Sequence, residues 1–182
     1  LILLVRLVMA NLVNETVDTQ ESVCPACPAI LIDHQAFSAR ERKLLCEGGA
    51  RAREFFRSHG VELKETIHVS IHDAPDDDLF PHIGSYSLEK KTVRILGLRQ
   101  SLIHDEEINL FGLPLDDDLY RSVVVHEIAH AIANQNFEIP DPSVVAQEYL
   151  AYIAQLSTMK PQVREKVLGG YTVSPYTDIG EM

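Results

Sequence analysis

Apolar and polar residues alternate along several short stretches of the chain. Residues 67–72 place isoleucine and valine in strict alternation with histidine and serine, a period of two that is typical of a half-buried β-strand. Residues 29–34 form another short, mainly apolar run. Two further runs, 83–88 and 92–96, flank the polar segment Glu-Lys-Lys, which predicts an antiparallel hairpin.

A helix start signal follows the first predicted strand. Ser38 and Glu41 have the spacing of a capping box, in which the serine side chain and the glutamate side chain each satisfy a free backbone amide. The helix is expected to run to about Ser58 and to stop at Gly60, which suits the position after a helix end. Gly48 and Gly49 interrupt its middle and are expected to weaken it.

Two more helices are predicted in the second half of the chain. The first covers residues 119–135, which are apolar and strongly patterned. The second covers residues 142–159, with Asp141 as its N-cap and a proline at its first position. Residues 101–118 are expected to be mainly loop. The order strand, helix, strands, helix, helix favours an α+β fold with a small antiparallel or mixed sheet.

Length and charge limit the classes of protein that fit. The chain has 182 residues, which predicts one domain over 29–182 after a lead-in over 1–28. Its formal net charge is −11, from 16 basic and 27 acidic residues. That balance argues against a nucleic-acid binder. No apolar run has the length of a stable membrane span.

The first ten residues bear on localisation. Residues 1–10 read LILLVRLVMA, which suits the apolar core of a secretory signal whose remnant ends after Ala10. This interpretation predicts a periplasmic or secreted protein. In the alternative, the run is the first strand or helix of a cytoplasmic protein.

Three cysteines are consistent with export. Cys24 and Cys27 form a Cys-Pro-Ala-Cys pair, and Cys46 follows. Either Cys46 is bonded to Cys24 or Cys27, leaving one thiol, or all three are buried thiols. A structural zinc site would need a fourth ligand, such as His34 or His59.

The sequence HEIAH within the predicted helix 119–135 carries the candidate chemistry. His126 and His130 are four residues apart, so their side chains project from one helix face and are spaced to hold one zinc ion. Glu127 is turned about 100° from His126. From there it can reach a metal-bound water and act as a general base.

A catalytic zinc needs a third protein ligand. The metzincin continuation is absent, because Asn136 stands where that motif has its third histidine. Glu138 and Asp141 lie in the turn after the helix. Glu148 follows His130 by 18 residues on the next predicted helix, and two helices joined by a turn can bring its carboxylate back to the metal.

HEIAH followed by Gln-Glu-Tyr on the next helix resembles the gluzincin branch of the zincin metallopeptidases. The resemblance implies a zincin-like fold with an N-terminal helix, an active-site helix and a third-ligand helix. It assigns His126, His130 and Glu148 as ligands of one zinc ion and Glu127 as the catalytic base. More specifically, the chain is similar to an uncharacterised bacterial family of small, often exported HExxH proteins.

In zincins an edge strand before the active-site helix binds the substrate backbone by strand addition. The resemblance places that strand at 82–87, where a glycine would allow close approach. The candidate residues for substrate contact are Gly84, Ser85 and Tyr86. The candidates for stabilising the oxyanion are Tyr152, Tyr171 and Tyr176.

The expected function is therefore a zinc-dependent metallopeptidase acting on a peptide or protein substrate. The alternative is a non-catalytic zincin-like module that binds zinc for stability or binds a partner peptide. A hydrolase acting on a non-peptide amide is a third possibility.

Overall fold

The computed structural model describes five stretches of the chain. They are residues 21–33, 36–72, 83–98, 108–139 and 142–171. The predicted turn at 74–78 and the residues His34, His82, Asp141 and Tyr176 lie outside them.

The central element is a five-stranded mixed sheet with the strand order β1-β2-β3-β5-β4. Strands β2, β3 and β5 are parallel, and β1 and β4 run antiparallel to their neighbours at the two edges. A small ribbon, β6–β7, lies apart from it. The strands are β1 Glu21–Cys24, β2 Cys27–Asp33, β3 Ile67–His72, β4 Gly84–Ser87, β5 Thr92–Leu96, β6 Asn109–Leu110 and β7 Leu113–Pro114.

Four helices are described, and the combination of helices with a mixed sheet confirms the α+β class. Helix α2 packs against α1, against α3 and against strands β4 and β5, so it lies at the centre of the molecule. No described helix is long and apolar enough to cross a membrane. The helices are α1 Ala39–Ser58, α2 Asp117–Asn134, α3 Val144–Thr158 and α4 Pro161–Gly169.

The core lies between one face of the sheet and helices α1 and α2. Ile30 is opposite Ile67, and Val69 is opposite Val93, so these buried side chains share one sheet face. The alternating pattern in β3 thus predicted a half-buried strand correctly. Helix α2 packs on this apolar face, and its buried residues belong to the same core cluster.

The capping box at the start of α1 is confirmed. Ser38 Oγ accepts from the Glu41 amide, and Glu41 Oε2 accepts from the Ser38 amide at 2.7 Å. The other oxygen of Glu41 accepts from the Leu98 amide at 2.7 Å, which ties the helix to the chain beyond β5. The predicted helix end is also confirmed, because Gly60 adopts a left-handed φ of +77°.

The two glycines in the middle of α1 have a packing role that the sequence did not indicate. A Cβ atom on Gly48 would lie 2.7 Å from Val124 Cβ of α2, and one on Gly49 would collide with the Ile30 side chain of β2. Glycine at these positions therefore lets α1 approach both the sheet and α2 closely. The absence of a Cβ atom permits this contact, at the cost of the lower helix propensity of glycine.

Two boundaries and two elements differ from the predictions. The polar lead-in expected before residue 29 includes β1 and the start of β2, because the Cys-Pro-Ala-Cys segment makes a tight hairpin. Helix α3 is capped by Ser143 Oγ, which accepts from the Ala146 amide, and not by Asp141. Helix α4, which proline starts at its first position, and the β6–β7 ribbon were not predicted.

The structure decides between the alternatives predicted for the three cysteines. Cys24 and Cys46 form a disulfide with their Cα atoms 5.3 Å apart, and Cys27 is a buried free thiol. The disulfide joins the β1–β2 hairpin to α1. It is incompatible with a structural zinc site that uses all three cysteines. Disulfides of this kind are typical of oxidising compartments.

Candidate metal centre

Helix α2 presents the two histidines of the HEIAH motif side by side. Its start is fixed by Asp116, whose side chain accepts from the amides of Asp118 and Leu119. The residues flanking the motif are buried, which fixes the rotation of the helix. His126 Nε2 and His130 Nε2 are 3.1 Å apart.

Helix α3 brings the predicted third ligand to the same point. Glu148 Oε2 lies 3.3 Å from His126 Nε2, and Glu148 Oε1 lies 3.4 Å from His130 Nε2. These three residues form the single cluster of candidate metal ligands found among the described residues. Asn136 is engaged elsewhere, since its side chain donates to the backbone carbonyls of Glu62 and Ile132.

The candidate donor atoms lie about as close together as the ligands of a tetrahedral zinc ion. Zinc–ligand bonds of about 2.0–2.1 Å at tetrahedral angles place neighbouring donor atoms about 3.3 Å apart. The two histidine Nε2 atoms are 3.1 Å apart, and they lie 3.3 and 3.4 Å from the two different oxygens of the Glu148 carboxylate. Three protein ligands leave a fourth position free, and the Glu148 side chain is 43% exposed. The cluster is thus accessible to solvent.

The protonation of the histidines also suits a cation. Burial lowers the pKa of His126 to about 4, and His130 beside it adds to the effect. Burial lowers the pKa of His130 as well. Both imidazoles are therefore neutral near pH 7 and offer lone pairs, while the carboxylate of Glu148 supplies negative charge.

Glu127 is buried next to the cluster. Burial raises its pKa to about 8, and the nearby Glu148 carboxylate contributes in the same direction. Its side chain lies against Gly84 of β4, where a Cβ atom would be 2.6 Å from Glu127 Cγ. A group whose pKa lies near neutrality is suited to accept and return a proton.

The strand proposed for substrate contact lies at the edge of the sheet, as expected. Strand β4 pairs with β5 on one side and ends the strand order on the other. Gly84 faces Glu127, so the close approach that this glycine allows is to the candidate base. Ser85 is paired with Arg94 and points to the opposite face, while the Tyr86 side chain packs against the core.

Of the three candidate tyrosines, Tyr152 lies at the cluster. Its ring packs edge-on against His126 at 4.7 Å and against Phe111 at 6.4 Å. Burial, with the nearby Glu148 charge, raises the Tyr152 pKa. Tyr171 is 55% exposed.

Sequence reasoning missed two buried polar residues behind the cluster. Gln155 Oε1 lies 3.1 Å from His126 Nδ1, and Gln155 Nε2 donates to Ser122 Oγ at 3.1 Å. A signal was present in the helical spacing. Ser122 precedes His126 by one turn, and Gln155 follows Glu148 by two turns, so each is a polar residue on the same helix face as a ligand.

The fold and the cluster define an α+β protein with a two-histidine, one-glutamate candidate metal centre. A family model described as "Family of unknown function (DUF6639)" matches residues 32–181, so the chain belongs to this family. No curated protein and no solved structure matches the chain.

Proposed function

We propose that this protein is a zinc-dependent metallopeptidase of zincin type. The observation that carries the proposal is the position of Glu127, a buried carboxyl group with a raised pKa beside three candidate ligands whose donor atoms lie within 4.8 Å of one another. A site built for structural zinc alone has no use for such a group, because structural zinc sites are closed by four protein ligands.

The donor set favours zinc. Two imidazole nitrogens and one carboxylate oxygen, with a position left free, are the ligand set of catalytic zinc in several hydrolases. Zinc bound there supplies Lewis-acid chemistry, lowering the pKa of a coordinated water and polarising a substrate carbonyl.

Glu127 performs the proton transfers in this proposal. Its carboxylate takes the proton of the attacking water and returns it to the leaving amine nitrogen as the peptide bond breaks. A divalent cation nearby favours the ionised carboxylate. The general base is therefore available at neutral pH even though burial raises its pKa.

The surroundings of the cluster suit an extended peptide with apolar side chains. Among the described strands β4 pairs only with β5, so its other edge offers backbone groups for strand addition. On α3, Val144, Val145 and Tyr152 are exposed and lie three or four residues from Glu148, on the same helix face. Exposed apolar groups next to a candidate site mark a place where an apolar ligand binds.

The proposed setting is outside the cytoplasm. The Cys24–Cys46 disulfide is stable in an oxidising compartment such as the periplasm or the extracellular space. Export also agrees with the signal-like residues at the start of the sequence.

A cleavage assay with Glu127→Gln tests the peptidase proposal. The zinc-loaded protein is incubated with a peptide mixture, and new termini are identified by mass spectrometry. Wild type should cut peptides, and Glu127→Gln should lose about 10²-fold or more of the rate while keeping its zinc. Glu138→Gln, an exposed carboxyl outside the cluster, is the matched control and should cleave like wild type.

Two results would reject the peptidase proposal. Equal cleavage by wild type and Glu127→Gln would mean that this carboxylate is not the base. A wild-type protein that binds zinc and cuts no peptide would instead be the non-catalytic module. In that case, chelation should still lower the melting temperature, because the bound zinc would stabilise the fold.

A further inference from the structure

Behind the candidate metal cluster, a buried chain of hydrogen bonds joins α3 to α2. Gln155 is 2% exposed and Ser122 is 4% exposed. The contacts run from His126 Nδ1 to Gln155 Oε1 at 3.1 Å, from Gln155 Nε2 to Ser122 Oγ at 3.1 Å, and from Ser122 Oγ to the Leu119 carbonyl at 2.7 Å.

The contact between Ser122 and Leu119 determines which group donates and which accepts in each of these hydrogen bonds. The Leu119 carbonyl can only accept, so the Ser122 hydroxyl donates to it. The hydroxyl oxygen of Ser122 then accepts from the amide NH₂ of Gln155. The amide oxygen of Gln155 consequently faces His126 and requires a donor at Nδ1.

The reversed arrangement is disfavoured at the Ser122 end. It would turn the Gln155 NH₂ group toward His126, place the His126 proton on Nε2 and require Ser122 to donate to Gln155. The Ser122 oxygen and the Leu119 carbonyl would then be 2.7 Å apart with no hydrogen between them. An unsatisfied buried polar contact of this kind is costly.

We propose that Gln155 and Ser122 are positioning residues that hold His126 as its Nδ1-protonated tautomer before any metal binds. The Nε2 lone pair then faces His130 Nε2 and Glu148, which are 3.1 and 3.3 Å away. This inference rests on the proposed metal site.

The same chain of hydrogen bonds orders the two ligand-bearing helices. Gln155 is on α3, the helix of Glu148, and Ser122 is on α2, the helix of both histidines. The contact therefore fixes the register between the helices and brings all three donors together. Preorganisation of this kind increases metal affinity, and loss of such partners of ligating histidines costs about 10–100-fold.

Zinc affinity of three variants provides the first test. Gln155→Leu removes the acceptor and should weaken zinc binding by about 10–100-fold. Gln155→Glu keeps an acceptor oxygen at the same place and should recover most of that loss. Gln147→Leu is the control, because Gln147 is on the same helix and its side chain donates to the Pro142 carbonyl. It should bind zinc like wild type.

The second test reads the tautomer directly and needs no metal. Histidine side-chain ¹⁵N NMR of the metal-free protein at about pH 7.5 should show His126 protonated on Nδ1. In Gln155→Leu this preference should be lost. If that variant does not fold, Ser122→Ala provides the test, because it removes the anchor that orients the amide and should shift His126 toward a tautomer mixture.

Three results would overturn the inference. They are a wild-type His126 protonated on Nε2, an unchanged tautomer in the folded variants, and unchanged zinc affinity in Gln155→Leu. Failure of wild type to bind zinc would reject the proposed function, whereas the NMR result would still decide the role of Gln155.

Discussion

Gly84 and Glu127 are in direct contact, since a methyl group on Gly84 would lie 2.6 Å from Glu127 Cγ and 2.9 Å from its Oε1. The edge strand and the candidate catalytic base thus share one small volume. Any other residue at position 84 would displace the carboxyl group or the strand. The contact joins the surface proposed for peptide binding to the group proposed for proton transfer.

Gly84→Ala should reduce peptide hydrolysis and leave metal binding intact. The added methyl group pushes the Glu127 side chain away, and a misplacement of about 1 Å can cost about 10²-fold in rate. The three atoms nearest to a methyl group at Gly84 all belong to Glu127, and none belongs to a candidate metal ligand. The measurements are kcat/KM on a peptide cut by wild type and the zinc content of the same sample.

Gly169→Ala is the matched control for this substitution. Gly169 ends α4, and a methyl group there meets nothing within 4 Å. Wild-type activity in Gly84→Ala, with full zinc content, would show that the position of Glu127 does not limit the reaction.

Stability of the metal-free protein should depend on pH through Glu127. Burial raises its pKa from 4.5 to about 8, so between these values the folded state holds a proton that the unfolded state releases. The free energy of unfolding from this group therefore falls as the pH rises. From about pH 5.5 to 7.5, wild type should lose about 2–3 kcal/mol relative to Glu127→Gln.

Urea unfolding of both chelated proteins at these two pH values measures the difference. The lowered pKa of His126 acts in the opposite direction, because its contribution rises with pH between about 4 and 6.5. The histidines are present in both proteins, so their contribution cancels in the comparison. A difference that is the same at both pH values would mean that Glu127 is ionised throughout.

The cysteines should behave as one disulfide and one protected thiol. Burial raises the pKa of Cys27, so a thiol reagent should label about one cysteine per chain after unfolding and almost none before. The bond between Cys24 and Cys46 closes a segment of 22 residues. Removing it by a double substitution to serine should cost about 3 kcal/mol of unfolding free energy.

Three labelled thiols in the unfolded, unreduced protein would be incompatible with this arrangement, since a disulfide and one thiol leave one reactive group. Rapid labelling of the native protein would show that Cys27 is accessible.

The sequence predicted those features of the structure that depend only on residues close together in the chain. The period of two in β3, the capping box of Ser38 and Glu41, and the four-residue spacing of the HEIAH histidines are each complete within a few residues. Glu148 was also predictable, because a helix, a turn and a second helix restrict where its carboxylate can lie.

The remaining features depend on contacts between distant segments. No local pattern places Gly84 against Glu127 or Gln155 behind His126, since the partners are separated by 43 and 29 residues. Strand β1 was missed because it is short and ends at Cys24, just before Pro25, where composition favours a turn. The glycines of α1 were interpreted by helix propensity, whereas packing decides their role.

The most direct test of the account is the zinc content of the protein, purified without chelators, beside that of Glu148→Ala. We expect about one zinc per wild-type chain and a sharply lower content in the variant, because Glu148 supplies one of the three proposed ligands. Wild type that remains metal-free after zinc is supplied would contradict the account. So would full zinc binding by Glu148→Ala, since the third ligand would then lie elsewhere.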